Sequence, residues 1–178
     1  MSLTFEQAYE FTSKIGSHTS YDLAECRLLF TVAMRIPMAG VMVEIGCEYG
    51  RSSSILLQVA KARGAELHLV EPDPKPELLA MLRSLEYPFL LNAAKSIDAY
   101  ALPDYADLAH IDGDHSYEAV LYDLEMVSRF THGYIICHDY QRESLPEVTR
   151  AVDEFLAEKA GVFRINDKAE TALCLTNL

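Results

Sequence analysis

The stretch that most constrains the fold is residues 41–54, Val-Met-Val-Glu-Ile-Gly-Cys-Glu-Tyr-Gly-Arg-Ser-Ser-Ser. Val41, Val43 and Ile45 are β-branched, as a buried strand prefers. Gly46 and Gly50 follow and free the backbone for a turn. Ser52, Ser53 and Ser54 can cap a helix that carries Ile55, Leu56 and Val59 on one side. A strand, a glycine turn and a helix in this order aim unpaired backbone N–H groups into the crevice at a sheet's carboxyl edge. Open α/β sheets bind nucleotide-like ligands there.

The spacing argues against a dinucleotide. In G-x-G-x-x-G the second glycine lets the backbone approach a pyrophosphate. Counted from Gly46 that position is Glu48, which carries a side chain and a negative charge. Glu44 adds a second carboxylate, and two carboxylates suit a cationic or amino-bearing ligand better than a diphosphate. No G-K-[ST] follows, which excludes a P-loop. What remains, E-x-G-x-x-x-G, resembles the first motif of class I S-adenosylmethionine (SAM)-dependent methyltransferases. Cys47 lies inside this turn, near any ligand that it holds.

The rest of the chain reads as alternating strands and helices. Two helices precede the turn, one opened by a Thr4-x-x-Gln7 capping box and one ended by Pro37, with His18 in their connecting loop. Strands are expected at residues 66–70, 88–91, 106–111 and 134–137, with helices after the first, third and fourth of these. The helix after residue 117 is expected to close near Gly133, and Ser144-x-x-Glu147 reads as another capping box. Residues 162–165 and 172–175 flank the polar turn 166–170 and must form an antiparallel hairpin. The expected fold is α/β, a Rossmann-like three-layer sandwich. Its seven-stranded, mostly parallel sheet carries a C-terminal antiparallel hairpin, preceded by two N-terminal helices. The 178 residues fit a single methyltransferase domain, with N-terminal helices at 1–37 and a core at 41–178.

Composition narrows the partners. A net charge of −12 argues against nucleic acid and anionic membranes. The apolar runs are too short to span a bilayer, and the first residues lack the basic and apolar regions of a signal peptide. The four cysteines include no C-x-x-C pair and read as reduced thiols, which fits a cytoplasmic protein.

Two further signals carry chemistry. Glu71 ends the second strand, 21 residues beyond Gly50, where an acid can accept hydrogen bonds from both ribose hydroxyls of a nucleoside. The run Ile111-Asp-Gly-Asp-His-Ser-Tyr-Glu118 follows an apolar strand, with Asp123-Leu-Glu125 beyond it, and Gly133-Tyr-Ile-Ile-Cys-His-Asp-Tyr140 closes the set. Together with Val43-Glu-Ile-Gly46 and Gly50-Arg51-Ser52, these closely resemble a family of small class I methyltransferases, over roughly residues 40–140. His132 stands where that family usually has a second glycine.

The resemblance implies SAM as cofactor and suggests residue roles. Glu44 and the turn spanning Gly46, Cys47, Glu48, Gly50, Arg51 and Ser52 would hold the methionine end. Glu71 would hold the ribose, Ser96 would hydrogen-bond the adenine, and Asp112 would face the methionine end or the methyl. Related O-methyltransferases, such as catechol O-methyltransferase, bind magnesium with acids at the two strand ends where this chain has Asp112 and Asp139. All-oxygen ligation suits Mg²⁺. This chain reads His138-Asp139-Tyr140 where those enzymes continue Asp-Asn.

His115 and His138 are the alternative catalytic groups, since imidazole titrates near neutrality. The expected function is therefore transfer of methyl from SAM to a small-molecule acceptor, by O-methylation. The mechanism uses either Mg²⁺ on Asp112 and Asp139 or a histidine base. An NAD-dependent oxidoreductase and a noncatalytic SAM-binding module stand as alternatives. The sparse roof leaves room for a second subunit, hence a homo-oligomer.

Overall fold

The computed structural model describes residues 3–15 and 22–177, and the loop around His18 lies outside them. Two helices come first, α1 (Phe5–Thr12) and α2 (Leu23–Ala33), each opened by a reciprocal capping box, Thr4 with Gln7 and Asp22 with Glu25. The sheet is then built from β1 (Val41–Ile45), β2 (Glu66–Val70), β3 (Leu90–Asn92), β4 (Ala106–Ile111), β5 (Thr131–Cys137), β6 (Phe163–Ala169) and β7 (Ala172–Asn177). Between them run α3 (Arg51–Arg63), α4 (Pro76–Ser84), a 3₁₀ turn at Ser96–Asp98, α5 (Tyr117–Ser128) and α6 (Pro146–Glu158).

The strand order is β3-β2-β1-β4-β5-β7-β6. The first five strands pair in parallel, and β7 pairs antiparallel with both β5 and β6. The chain reverses its direction of winding between β1 and β4. Such a switch point splays the following loops apart and opens a crevice at the carboxyl ends of the strands. Every element that the sequence pattern places in a Rossmann-like sandwich is present, including the terminal hairpin.

Both sheet faces are covered, so the central strands are apolar on both sides. Met42, Leu67, Leu69 and Leu108 face a core shared with α2, α3 and α4, through residues such as Leu29, Ile55, Leu56 and Leu82. Val43, Ile45, Ala109 and Ile135 face α5 and α6 through Leu124, Val127, Val152 and Phe155. Two polar residues, Glu44 and His110, interrupt the first face, and both are fully buried.

Four local expectations are corrected. The serines do not cap α3: its N-cap is Gly50, in left-handed conformation (φ 90°), with no side-chain cap. Ser52, Ser53 and Ser54 instead pack inside, where Ser54 Oγ meets Thr12 Oγ1 at 2.7 Å and ties α3 to α1. Ser144 and Glu147 form no capping box, since the N-cap of α6 is Leu145, without a side-chain bond. Gly133 belongs to β5 rather than to a helix end. A Cβ there would lie 2.0 Å from the Asp107 carbonyl oxygen, so only glycine lets the two strands close. Finally, β6 runs on through Asn166, Asp167 and Lys168, because an edge strand tolerates polar residues on its exposed side.

Candidate active site

At the switch point lies a cleft of about 820 Å³, within the usual range for small-ligand pockets. The ends of β1, β2, β4 and β5 line it, together with the 3₁₀ turn and the first turns of α5. The turn after β1 depends on its backbone. Gly46 has φ 84°, and a Cβ would lie 2.0 Å from the Asp112 carbonyl oxygen, so the β1 and β4 loops touch through glycine. Gly50 is enclosed differently: its Cβ would strike Met81 and Leu78 of α4, and it does not line the cleft.

Glu71 organises this turn. Its Oε2 accepts the Cys47 and Glu48 amides, both at 3.0 Å, and its Oε1 accepts the Asp73 amide at 2.9 Å. Both lone-pair sites of Oε2 are thereby engaged, and Oε1 keeps one free. Glu71 therefore has less capacity for ribose hydroxyls than the sequence suggested. Glu48 (φ 45°) faces the cleft, and burial, with Asp112 and Glu71 nearby, raises its carboxyl above the usual range. Cys47, Arg51, Ser52 and Ser96 also line the cleft. Glu44 does not; it lies behind the wall, with Oε1 3.2 Å from His110 Nδ1.

Asp112 and Asp139 end the neighbouring strands β4 and β5, and His138 and His115 draw them together. His138 Nδ1 lies 3.1 Å from Asp112 Oδ1 and 3.3 Å from Asp139 Oδ2. Its Nε2 lies 3.2 Å from Glu25 Oε2 on α2. Burial alone would lower its pKa, but Asp112, Asp139 and Glu25 push it up to about 12. His115 Nε2 sits 3.1 Å from Asp139 Oδ2 and 3.6 Å from Asp112 Oδ1, and these two carboxylates raise its pKa to about 9. Against the effect of burial, His115, His138 and Arg142 hold Asp139 far below the usual carboxylate range. Arg142 Nη1 is 2.6 Å from Asp139 Oδ1. Asp139 is also strained, with φ 59°.

His138 is therefore an enclosed imidazolium that does not line the cleft, and the expectation of a base near pH 6.5 does not fit it. His115, with a side chain 39% exposed, reaches the cleft. Sequence reasoning missed Glu25. The Asp22-x-x-Glu25 spacing signals a helix start, but nothing in the sequence indicates that the same carboxylate crosses to His138 and to Thr171.

The resemblance implies two groups for this site, SAM and Mg²⁺. SAM fits. The cleft offers the Glu48 and Asp112 carboxylates to an ammonium, Arg51 at the start of α3 to a carboxylate, and apolar walls from Val70 and Ile97. Mg²⁺ does not fit. One donor atom each from Asp112, His138 and Asp139 lies within 4.8 Å of the others, but the set mixes imidazole with carboxylates, and Mg²⁺ prefers oxygen. His138 Nδ1, 3.1 Å from Asp112 Oδ1 and 3.3 Å from Asp139 Oδ2, already occupies the space between the two acids where a cation would sit.

The fold and the cleft at its switch point are those of a Rossmann-like nucleotide-binding domain. The SAH-bound Podospora anserina methyltransferase PaMTH1 superposes with a TM-score of 0.66 at 16% identity, over 98% of this chain and 87% of its own. Cofactor-bound Rv0187 from MTB gives 0.75 at 15% identity, over 97% and 88%, and the O-methyltransferase NovP gives 0.67 at 16%, over 91% and 83%. rRNA methylases also match. At these identities the likeness shows the fold alone. No curated protein matches the sequence. A family model described as "Methyltransferase domain" matches residues 43–140, more than half of the chain, and the protein belongs to that family.

Proposed function

We propose that this methyltransferase transfers the methyl of SAM to an oxygen of a small acceptor, without a divalent metal. The observation that carries the reading is His115, held between Asp112 and Asp139 at the wall of a SAM-sized cleft. SAM supplies an electrophilic methyl on a sulfonium centre. Glu48 and Asp112 take its ammonium, Arg51 takes its carboxylate, the free site on Glu71 Oε1 takes one ribose hydroxyl, and Ser96 borders the adenine.

The remaining work is alignment of the acceptor, which at best lowers such barriers by roughly 7–11 kcal/mol. His115 faces the acceptor. As an imidazolium it orients an acceptor oxygen, and in its neutral form it takes the hydroxyl proton. The acidic surface and the carboxylate-rich cleft favour a small molecule over a polyanionic RNA.

Calorimetry with SAM, S-adenosylhomocysteine (SAH) and NAD tests the cofactor, and mass-spectrometric detection of a 14 Da gain across a panel of small hydroxylated acids and phenols tests the acceptor. Saturable binding of SAM and SAH with NAD at least tenfold weaker is expected. NAD binding as tight as SAM would overturn the reading. SAM binding with no transfer to any acceptor would favour a noncatalytic SAM-binding module.

A further inference from the structure

Another acid reaches the cleft without joining the Asp112–Asp139 cluster. Asp123 lies on α5, is only 1% exposed, and contributes to the cleft wall. Its Oδ1 is buried without a hydrogen-bond partner. Its Oδ2 packs beside Gly113, where a Cβ would sit 3.3 Å away. The Ser96 hydroxyl is its hydrogen-bonding neighbour, and burial pushes the carboxyl up to about 6, so the group is mainly ionised at neutral pH. Ile97, Ala119, Tyr122 and Val70 supply apolar surface to the same cleft.

A buried carboxylate oxygen with no donor is costly to the free protein. A ligand that brings a donor to it offsets that cost. The loop that carries Ser96 is held in place by Asn92, whose Oδ1 accepts the Tyr100 amide at 3.1 Å. Ser96 and Asp123 thus form one corner of the cleft, with apolar surface nearby and a single unmet acceptor. That chemistry suits a flat heteroaromatic ring bearing an amino group.

Resting on the SAM reading of this cleft, we propose that Asp123 selects the adenine of the cofactor by accepting a hydrogen bond from its exocyclic amine at Oδ1. A carboxylate can only accept, and the adenine amine can donate. Hypoxanthine presents a carbonyl oxygen at that position, which would leave two acceptors facing each other. A site built around one buried hydrogen bond rejects an analogue that cannot make it. Gly113 belongs to the same arrangement, because a larger residue there would crowd the Asp123 carboxylate.

The test is calorimetric titration of the full chain with SAH and with S-inosylhomocysteine, for the wild type and for Asp123→Asn. The wild type is expected to bind SAH at least about tenfold more tightly than the inosyl analogue. The asparagine amide can turn either its oxygen or its amine toward the base, so the variant should bind the two ligands within about threefold. Equal binding of both ligands by the wild type, a measurement independent of any variant, would overturn the proposal. So would Asp123→Asn weakening both ligands by the same factor, because Asp123 would then only anchor the Ser96 turn. Failure of SAH to bind the folded wild type would remove the SAM reading itself, and this inference with it.

Discussion

Glu25 is remote in sequence from every motif, and its removal should be among the more damaging single substitutions in this protein. Its Oε2 accepts the Asp22 amide at 3.0 Å, closing the N-terminus of α2, and faces His138 Nε2 at 3.2 Å. Its Oε1 accepts the Thr171 amide at 3.1 Å and the Thr171 hydroxyl, which pins the β6–β7 turn to α2. Breaking a buried ion pair by deleting one partner costs about 3–5 kcal/mol when the other charge is left uncompensated; here Asp112 and Asp139 still face His138, so the loss falls at the low end. Loss of a helix cap costs about 1 kcal/mol, and the two losses overlap here because one carboxylate makes both.

Glu25→Ala should therefore lower stability by about 3 kcal/mol, or roughly 6–12 °C in Tm for a chain of this size. Glu25→Gln, which keeps an acceptor for Thr171, should fall between alanine and wild type. Urea unfolding followed by circular dichroism measures both. The pH dependence adds a second reading. The His138 pKa is raised in the folded protein, so its pairing contributes fully below the unfolded value near 6.5 and fades as pH rises toward about 12. The Glu25 pKa is lowered despite its burial, by His138 and Thr171, so its contribution is present above about 4.5 and fades as pH falls. The gap between wild type and Glu25→Ala should be widest between about pH 4.5 and 6.5. A loss under about 1 kcal/mol throughout that window would refute the pairing as a source of stability.

Other substitutions probe the cleft. Gly46→Ala should abolish SAH binding in calorimetry, since its Cβ would lie 2.0 Å from the Asp112 carbonyl oxygen in a left-handed backbone; unchanged affinity would show that the β1 and β4 loops part freely. Once an acceptor is found, the rate should climb with pH through about 9, as His115 loses its proton, and His115→Gln should remove that limb with a roughly 10²–10⁴-fold lower rate. A limb at pH 6.5 that survives the substitution would point to another base. Turnover should be insensitive to EDTA, and loss of activity restored by Mg²⁺ would return Asp112 and Asp139 to the role of magnesium ligands.

Much of the fold was legible along the chain because it depends on local pattern. β-Branched residues marked β1, helical apolar spacing marked α2, α5 and α6, and the short turn near Glu170 demanded an antiparallel hairpin. Boundaries were misplaced where long-range packing overrode local preference. Gly133 reads as a helix stop, yet it continues a strand because the Asp107 carbonyl leaves no room for a side chain. Three consecutive serines read as a cap, yet all three are buried, and Ser54 finds its polar contact on α1.

For the site, sequence alone determined which residues end strands at the switch point, since order and spacing follow from the alternation of elements. Together with the family resemblance, that order put Cys47, Glu48, Arg51, Ser52, Glu71, Ser96, Asp112, His115 and Asp139 in one site, and all of them line the cleft, whereas Glu44, Gly50 and His138, expected there too, do not. Only the tertiary structure decided their protonation and their partners. His138 and His115 are alike as sequence letters. Their pKa values diverge because one is enclosed by three carboxylates, including one from a helix 113 residues away, and the other opens to the cleft. Likewise, Glu44 and Glu71 both follow apolar strand residues, but the pleat turns Glu44 into the core toward His110 and leaves Glu71 at the strand end to gather the glycine turn. Charge interactions depend on through-space distance and burial, which residue spacing along a chain does not encode.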